Sequence, residues 1–180
     1  FVGYSGSMGV DFIDYIIADK CLIPKEKFKY YTEKVIYMPD SFFPNQSKIK
    51  ISSKNFTKKN LNLPQNNFIF GSFNNSYKIT PKIFRTWMKI LNRTSNSVLW
   101  LLNNNDKATE NLIKTSESYN VDPKRLIFAE KLPYDEHLKR FDKMDLFLDT
   151  FPYNAHTTAS EAIRREVPII TMMGESFASR

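Results

Sequence analysis

From about residue 66 onward, apolar and polar positions come in alternating blocks. Residues 68–73 (FIFGSF) form an apolar run of strand length, followed by the polar stretch 74–78. Thr80 then precedes Pro81, an N-cap with proline at the first helical position. Ile83, Phe84, Trp87, Met88 and Leu91 recur at three- and four-residue steps, the mark of one buried helix face. Residues 97–102 read as the next strand, and Asp106 as the cap of a helix reaching about Tyr119. Residues 125–129 are again strand-like, Pro133 opens another helix, and residues 145–149 form a strand that ends in the loop 150–156. A helix near 158–165 and a last strand at 168–172 complete the series.

Strand and helix in repeated alternation predict an α/β fold: a parallel sheet with helices on both faces. Right-handed connections make it a Rossmann-like doubly wound parallel sheet, with ligands beyond the carboxyl ends of the strands. That rule directs attention to the loops 74–78, 130–137, 151–158 and 173–176. Residues 1–44 have a different texture. Residues 1–9 read as a strand running into a loop with Gly3, Gly6 and Gly9; residues 15–17 and 34–37 are short strands with a helix expected over 25–32 between them. This stretch is too small to close a core alone and is assigned to the end of a preceding lobe. Residues 45–62 read as an inter-lobe linker and 63–180 as the second lobe. The chain opens at Phe1 and breaks off where a new helix starts, so both edges read as cut and the sequence as a fragment.

Composition narrows the chemistry. With 42% apolar residues and 15 Phe in 180 residues, a sizeable core is available. No apolar run approaches the roughly 18 residues of a membrane span, and no signal-peptide pattern is visible. The single cysteine, Cys21, excludes an internal disulfide framework and suits a reducing, cytoplasmic setting. The two histidines, His137 and His156, have no partner at metal-ligand spacing, so no metal is expected. A net charge of +7 favours anionic partners. The densest lysine stretch, 48–59, resembles a loop rather than a groove-reading helix, and no nucleic-acid motif accompanies it. Neither nucleic acid nor membrane is expected as a partner.

The segment LDTFPYNAHTTASE, residues 148–161, carries the most chemistry. A strand ends in a carboxylate, and His156, Thr157 and Thr158 lead into a helix. A helix N-terminus offers unpaired N–H donors and about half a positive charge, a seat for a diphosphate. The plainer alternative is a capping box, Thr158-x-x-Glu161, with Glu161 reaching back to the cap N–H. Lys78 is expected at the same sheet edge, where it can neutralise a phosphate. The sequence holds no Asp-x-Asp motif to seat a divalent cation, so a lysine and a helix N-terminus are the groups left to stabilise a nucleoside diphosphate leaving group.

Read together, FNNSYKI (73–79), NSVLWLL (96–102), residues 135–137, residues 148–161, GESFASR (174–180), YMPDSFF (37–43) and GYSGSMG (3–9) resemble, in order, the catalytic region of O-GlcNAc transferases. The resemblance implies a GT-B glycosyltransferase, two Rossmann-like lobes holding a nucleotide sugar between them, and no metal cofactor. It implies that Lys78 contacts the donor diphosphate and steadies the leaving group, and that His156, Thr157 and Thr158 cradle the phosphates. Glu161 falls where the family often has an Asp bonding the ribose, and His137 matches a histidine beside the base. Asn75 stands where animal enzymes have a Gln near the phosphate, and Tyr134 replaces a Lys near the uracil. The expected reaction is inverting transfer of N-acetylglucosamine from UDP-GlcNAc to Ser or Thr hydroxyls of an acceptor protein. The general base and the tetratricopeptide repeats that present the acceptor are expected upstream of Phe1. The alternatives are a SPINDLY-like protein O-fucosyltransferase using GDP-fucose and a non-catalytic nucleotide-sugar- or protein-binding relative.

Overall fold

The computed structural model describes residues 4–46 and 48–180, which divide into two compact units, one of residues 1–47 with 173–180 and one of residues 48–172. In the first unit, strands β1 (Tyr15–Ala18) and β2 (Lys34–Tyr37) pair in parallel, Tyr15 opposite Lys34 and Ala18 opposite Tyr37. Its small core is Ala18, Leu22 and Ile23, with Ile16, Val35, Phe42 and Phe177 packed against them. Asp19 is buried and ties the loops around this core, accepting from Leu22 N at 2.8 Å and Phe42 N at 3.0 Å.

Two expectations for this stretch change. The helix expected over 25–32 is a 3-10 turn, Lys25–Tyr30, with no buried residue. Its sequence, KEKFKY, has no apolar stripe to hold a longer helix against a core. The strand expected within 1–9 has residues 1–3 outside the described residues, and residues 4–9 are a bend at 4–6 followed by irregular chain rather than strand. They are held by Glu33, which accepts from Ser7 Oγ and Met8 N, both at 2.7 Å.

The second unit is the doubly wound sheet. Its strands are β3 (Phe68–Ser72), β4 (Ser97–Leu102), β5 (Leu126–Ala129), β6 (Leu146–Leu148) and β7 (Ile169–Ile170). They lie in the order β5-β4-β3-β6-β7, every pair parallel. The helices are α1 (Pro81–Arg93), α2 (Asp106–Ser118), α3 (Tyr134–Arg140) and α4 (Thr157–Arg164). Alternation along β4 separates two cores: Val98 and Trp100 join Phe73, Phe141, Phe147 and Ala162 on one face, and Leu99 and Leu101 join the Phe84, Trp87, Met88 and Leu91 stripe of α1 on the other. Each fully buried side chain of that stripe contributes roughly 1.5–3 kcal/mol of transfer free energy.

The caps follow local chemistry. Thr80 Oγ1 accepts from Ile83 N at 3.4 Å ahead of Pro81 in α1. Asn105, not Asp106, caps α2, its Oδ1 accepting from Ala108 N at 2.8 Å; Asp106 is the first residue inside the helix, where its charge suits the positive end. At Gly71 on β3, an added Cβ would meet Met144 Cε at 2.0 Å and Sδ at 2.5 Å, so β3 comes close to the Met144 thioether only because residue 71 has no side chain.

Residues 48–62, expected as a linker, group with the sheet. Phe56 is buried, Lys54 Nζ pairs with Glu136 at 3.0 Å, and Lys58 Nζ donates to the carbonyls of Gln65 and Asn67 at 3.2 and 3.0 Å. Among the described residues no helix is long and apolar enough to cross a membrane.

The strand order has one consequence for function. The chain runs outward from β3 through β4 to β5, then crosses to the other side of β3 to lay down β6 and β7. Between β3 and β6 the connections part to opposite sides and leave a crevice at the carboxyl ends. The loops bounding it are residues 73–80 and 149–156.

Candidate functional site

The two loops at this crevice are stitched to each other. After β3, Phe73 and Asn74 are buried, and the chain makes a short 3-10 turn, Ser76–Lys78. Lys78 at its end reaches across to the β6 loop, where Nζ donates to the Asn154 carbonyl at 3.0 Å and lies 4.3 Å from the centre of the Tyr153 ring. Thr80 Oγ1 donates to the Phe151 carbonyl at 3.2 Å. Burial pushes the Lys78 ammonium below the usual lysine range, against the opposing pull of the Asp149 carboxylate. A lysine in this position is a partly desolvated cation with a carbonyl and an aromatic face beside it. Asn75 sits apart from this contact: it is exposed, and its Oδ1 accepts from Asn104 Nδ2 at 2.8 Å.

Asp149 organises the β6 loop. Its Oδ1 accepts from Thr150 N and Ala155 N, both at 2.7 Å, and its Oδ2 accepts from Thr171 Oγ1 at 2.6 Å. One buried carboxylate therefore closes the loop on itself and ties it to the residue after β7. Asn154, also buried, adds a second tie, its Nδ2 donating to Thr171 Oγ1 at 3.1 Å and the Met172 carbonyl at 2.9 Å. The loop, which contains the cis peptide Phe151–Pro152, delivers the chain to α4 with His156 at the N-cap position.

The start of α4 differs from the capping box considered from sequence. His156 makes no side-chain cap, and its ring lies 5.5 Å from that of Tyr153. Thr157, the first helical residue, is exposed. Thr158 Oγ1 donates to Asn74 Oδ1 at 2.9 Å, joining α4 to the β3 loop. Glu161 does not turn back to the cap N–H but faces His137 on α3, Nε2 to Oε2 3.3 Å. The reason is burial: Glu161 is 6% exposed, and a carboxylate there needs donors around it. The first turn of α4 is thus left with backbone N–H groups not capped by the His156 side chain, at the positive end of the helix.

A second group of side chains lies one turn further along α4. Tyr134 and His137 on α3 have rings 6.5 Å apart and nearly parallel, 22° between planes. Tyr134 is half exposed. Burial first, then the charge of Glu161 and a hydrogen bond to it, raise the Tyr134 phenol above its usual range. Phe73 packs on this group, its ring 5.4 Å from that of His137. Thr158 and Glu161, three residues apart on one helix, therefore connect the Lys78 end of the crevice with the His137 end.

Of the eight residues expected from sequence, Lys78, His156, Thr157 and Thr158 come together around the β3–β6 crevice, and Tyr134, His137 and Glu161 form one contact group. Asn75 turns to the β4 loop instead. Sequence reasoning gave no role to Asp149, Asn154, Asn74 or Arg140, the buried polar residues that hold the others in place. Only Asp149 carried a signal, a carboxylate at a strand end. Among the described residues, no three His, Cys, Asp or Glu side chains are grouped as metal ligands would be.

Comparison with known proteins adds a lineage. The sequence pattern of glycosyl transferase family 41 matches residues 1–52 and 44–180. A probable UDP-N-acetylglucosamine–peptide N-acetylglucosaminyltransferase SEC of Arabidopsis thaliana is 34% identical over 185 residues, covering 100% of this chain and 19% of that protein. The corresponding SPINDLY protein of Oryza sativa is 32% identical over 183 residues, covering 99% of this chain and 19% of that protein. A solved O-GlcNAc transferase of Thermobaculum terrenum, the K341M mutant, superposes with a TM-score of 0.76 at 25% identity, over 93% of this chain and 31% of that one. The chain spans about a fifth of the length of these curated relatives.

Proposed function

The chain belongs to glycosyl transferase family 41, and from that membership we propose that it forms most of the donor-binding half of a protein glycosyltransferase that uses a nucleoside diphosphate sugar. The observation that carries this reading is the placement of Lys78 against the loop that opens α4, at the point where the sheet's connections diverge. A diphosphate placed there meets a lysine cation on one side and the positive end of a helix on the other.

The relatives' names point to UDP-N-acetylglucosamine as donor and a peptide as acceptor. In the proposed reaction the Ser or Thr oxygen attacks the anomeric carbon from the face opposite the diphosphate. The new glycosidic C–O bond forms as the bond to the UDP oxygen breaks, with inversion. The hydroxyl proton passes to a base that the resemblance assigns to the preceding part of the catalytic region. Lys78 and the α4 N-terminus take up the charge released on the departing UDP, which matches a sequence without an Asp-x-Asp motif. His156, Thr157 and Thr158 line the phosphate end, with Asn75 at its rim. His137 and Tyr134 supply ring faces for the base. The Glu161 carboxylate, already facing His137 Nε2, keeps lone pairs for a ribose hydroxyl.

Calorimetric titration of the full-length protein with UDP, GDP and UDP-N-acetylglucosamine, without divalent metal, tests the reading. UDP is expected to bind, and Lys78→Ala to weaken it about 10- to 100-fold, the worth of one charge-assisted contact. Preference for GDP would move the donor assignment to the fucosyl branch. Absence of any nucleotide binding would leave a non-catalytic interaction module.

A further inference from the structure

Helix α1 buries one face in the sheet's core, and the face it leaves to solvent is positive along its whole length. Its sequence, PKIFRTWMKILNR, holds Lys82, Arg85, Lys89 and Arg93 and neither Asp nor Glu. All four are exposed, on the side away from the buried Phe84, Trp87, Met88 and Leu91. At 3.6 residues per turn they fall within about 80° of one another, in a stripe roughly 17 Å long. Among the described residues none of the four belongs to an ion pair. Four positive charges of a chain whose net charge is +7 therefore stand on one helix face without a counter-charge.

Helix stability does not explain this pattern. Lys82 lies in the first turn, at the positive end of the helix. Lys82 and Arg85, Arg85 and Lys89, and Lys89 and Arg93 are like charges at three- and four-residue steps, each unfavourable to the helix. α2 shows the ordinary arrangement, with Lys107 and Lys114 set among Asp106, Glu110 and Glu117, and Lys107 Nζ paired with Glu110 at 2.8 Å. The α1 stripe is a cost to the fold that a negatively charged partner removes. Its surroundings narrow that partner. No large apolar side chain is exposed between residues 81 and 96. The stripe thus lacks the aromatic platforms on which bases stack and the apolar face by which a helix enters a membrane surface. α2 packs Leu112 and Tyr119 on the same core, and its Tyr119 carbonyl accepts from Asn92 Nδ2 at 2.9 Å. The exposed Asp106, Glu110 and Glu117 of α2 therefore border the positive strip and repel any polyanion broad enough to lie across both helices. What remains is a strip one helix wide, which about five residues of extended polypeptide would span.

We propose that the exposed face of α1 docks an acidic segment of a partner protein, its carboxylates spaced along Lys82, Arg85, Lys89 and Arg93. Thr80, which caps α1, donates to the Phe151 carbonyl at the crevice, so the strip starts at the crevice edge and leads away from it. A protein held there by its acidic segment has the neighbouring stretch of its chain beside the site. The docking itself does not depend on the nucleotide reading above.

Titration of the full-length protein with a fluorescein-labelled hexaglutamate peptide, read by anisotropy, tests the strip. The native protein is expected to hold the peptide, less tightly as salt is added. Arg85→Glu with Lys89→Glu is expected to weaken it about tenfold, two exposed charge contacts having turned repulsive. The same variant should keep its melting temperature, because the steps from residue 82 to 85 and from 89 to 93 then join opposite charges. Lys20→Glu with Lys25→Glu makes an equal change in net charge in the other unit and should bind the peptide as the native protein does. Failure of the native protein to hold the peptide overturns the proposal, as does an equal loss in the Lys20 and Lys25 variant, which would reduce the effect to net charge. An RNA oligonucleotide or phosphatidylserine vesicles held more tightly than the peptide, and lost in the α1 variant, would assign the face to another polyanion and overturn it too. UDP titration of the same samples keeps the two readings apart. Peptide held without UDP defeats the nucleotide site, and UDP held without peptide defeats the strip.

Discussion

Lys78 shows how a single residue can read differently to the fold and to a ligand. Its ammonium is half-buried with a carbonyl and an aromatic ring as neighbours, and burial lowers its proton affinity. For the fold alone, a lysine depressed in this way binds fewer protons than in the unfolded chain. It therefore makes the protein slightly more stable as pH rises between the folded and the unfolded pKa. For a bound diphosphate the sign reverses, because only the protonated form neutralises the phosphates. UDP affinity is expected to fall with rising pH at a midpoint below the ordinary lysine range. In Lys78→Arg, whose guanidinium stays charged, that fall is expected to vanish. Calorimetry from pH 7 upward checks it. A decline shared equally by both proteins belongs to the ligand and removes Lys78 from the phosphate site. At this scale the sequence announced Lys78 and the His-Thr-Thr run by position after apolar strands. It did not announce Arg140 or Asn154, because a buried polar residue in a mixed string such as HLKRF looks the same as a solvated one.

Elements were legible to the extent that their periodicity was complete. α1 carries four buried residues at helical spacing behind Thr80 and Pro81, and both its face and its start follow from the string. The stretch 25–32 has charges and aromatics without an apolar stripe, so nothing local selects α-helix over a 3-10 turn. The order of strands lies further out of reach, since it depends on which edge each crossover returns to, a property of the packed faces rather than of any window. What then pins one element to the next is often a single side chain. Arg125 is such a tie: Nε donates to Ser97 O at 2.9 Å, and Nη2 contacts Leu91 O at 2.9 Å, Thr94 O at 2.7 Å and Ser97 Oγ at 2.9 Å. It thereby satisfies carbonyls at the end of α1 and fixes the turn into β4. Arg125→Ala is expected to cost about 2–3 kcal/mol in urea unfolding. Arg125→Lys should recover less than half, because an ammonium cannot span the same fork of acceptors. A loss below a few tenths of a kcal/mol would show that water serves these carbonyls equally well.

For the whole molecule, the division into two units carries its own prediction. The sheet unit ends at residue 172, and residues 173–180 belong with 1–47. Phe177 packs on the Ala18, Leu22 and Ile23 cluster, with its ring 5.4 Å from that of Phe42, and Glu175 pairs with Lys27 at 2.8 Å. A two-stranded sheet with three buried apolar residues is at the lower limit of what holds together, so each added contact counts. The sheet unit instead has two full cores, one on each face, neither of which draws on residues 173–180. Deleting 173–180 from the full-length protein is therefore expected to act locally. Amide exchange should quicken at Ala18, Ile23 and along β2, while the amides of β3 and β4 keep their protection. Nucleotide affinity tests the same partition at the site. Lys78, Asp149, Thr158, His137 and Glu161 all lie in the sheet unit, and the bonds that place them are internal to it. UDP binding should thus survive the deletion to the extent that those five residues carry it. Collapse of protection throughout β3 and β4 would mean that the two units fold as one. Loss of UDP with β3 and β4 still protected would instead place part of the nucleotide site in residues 173–180.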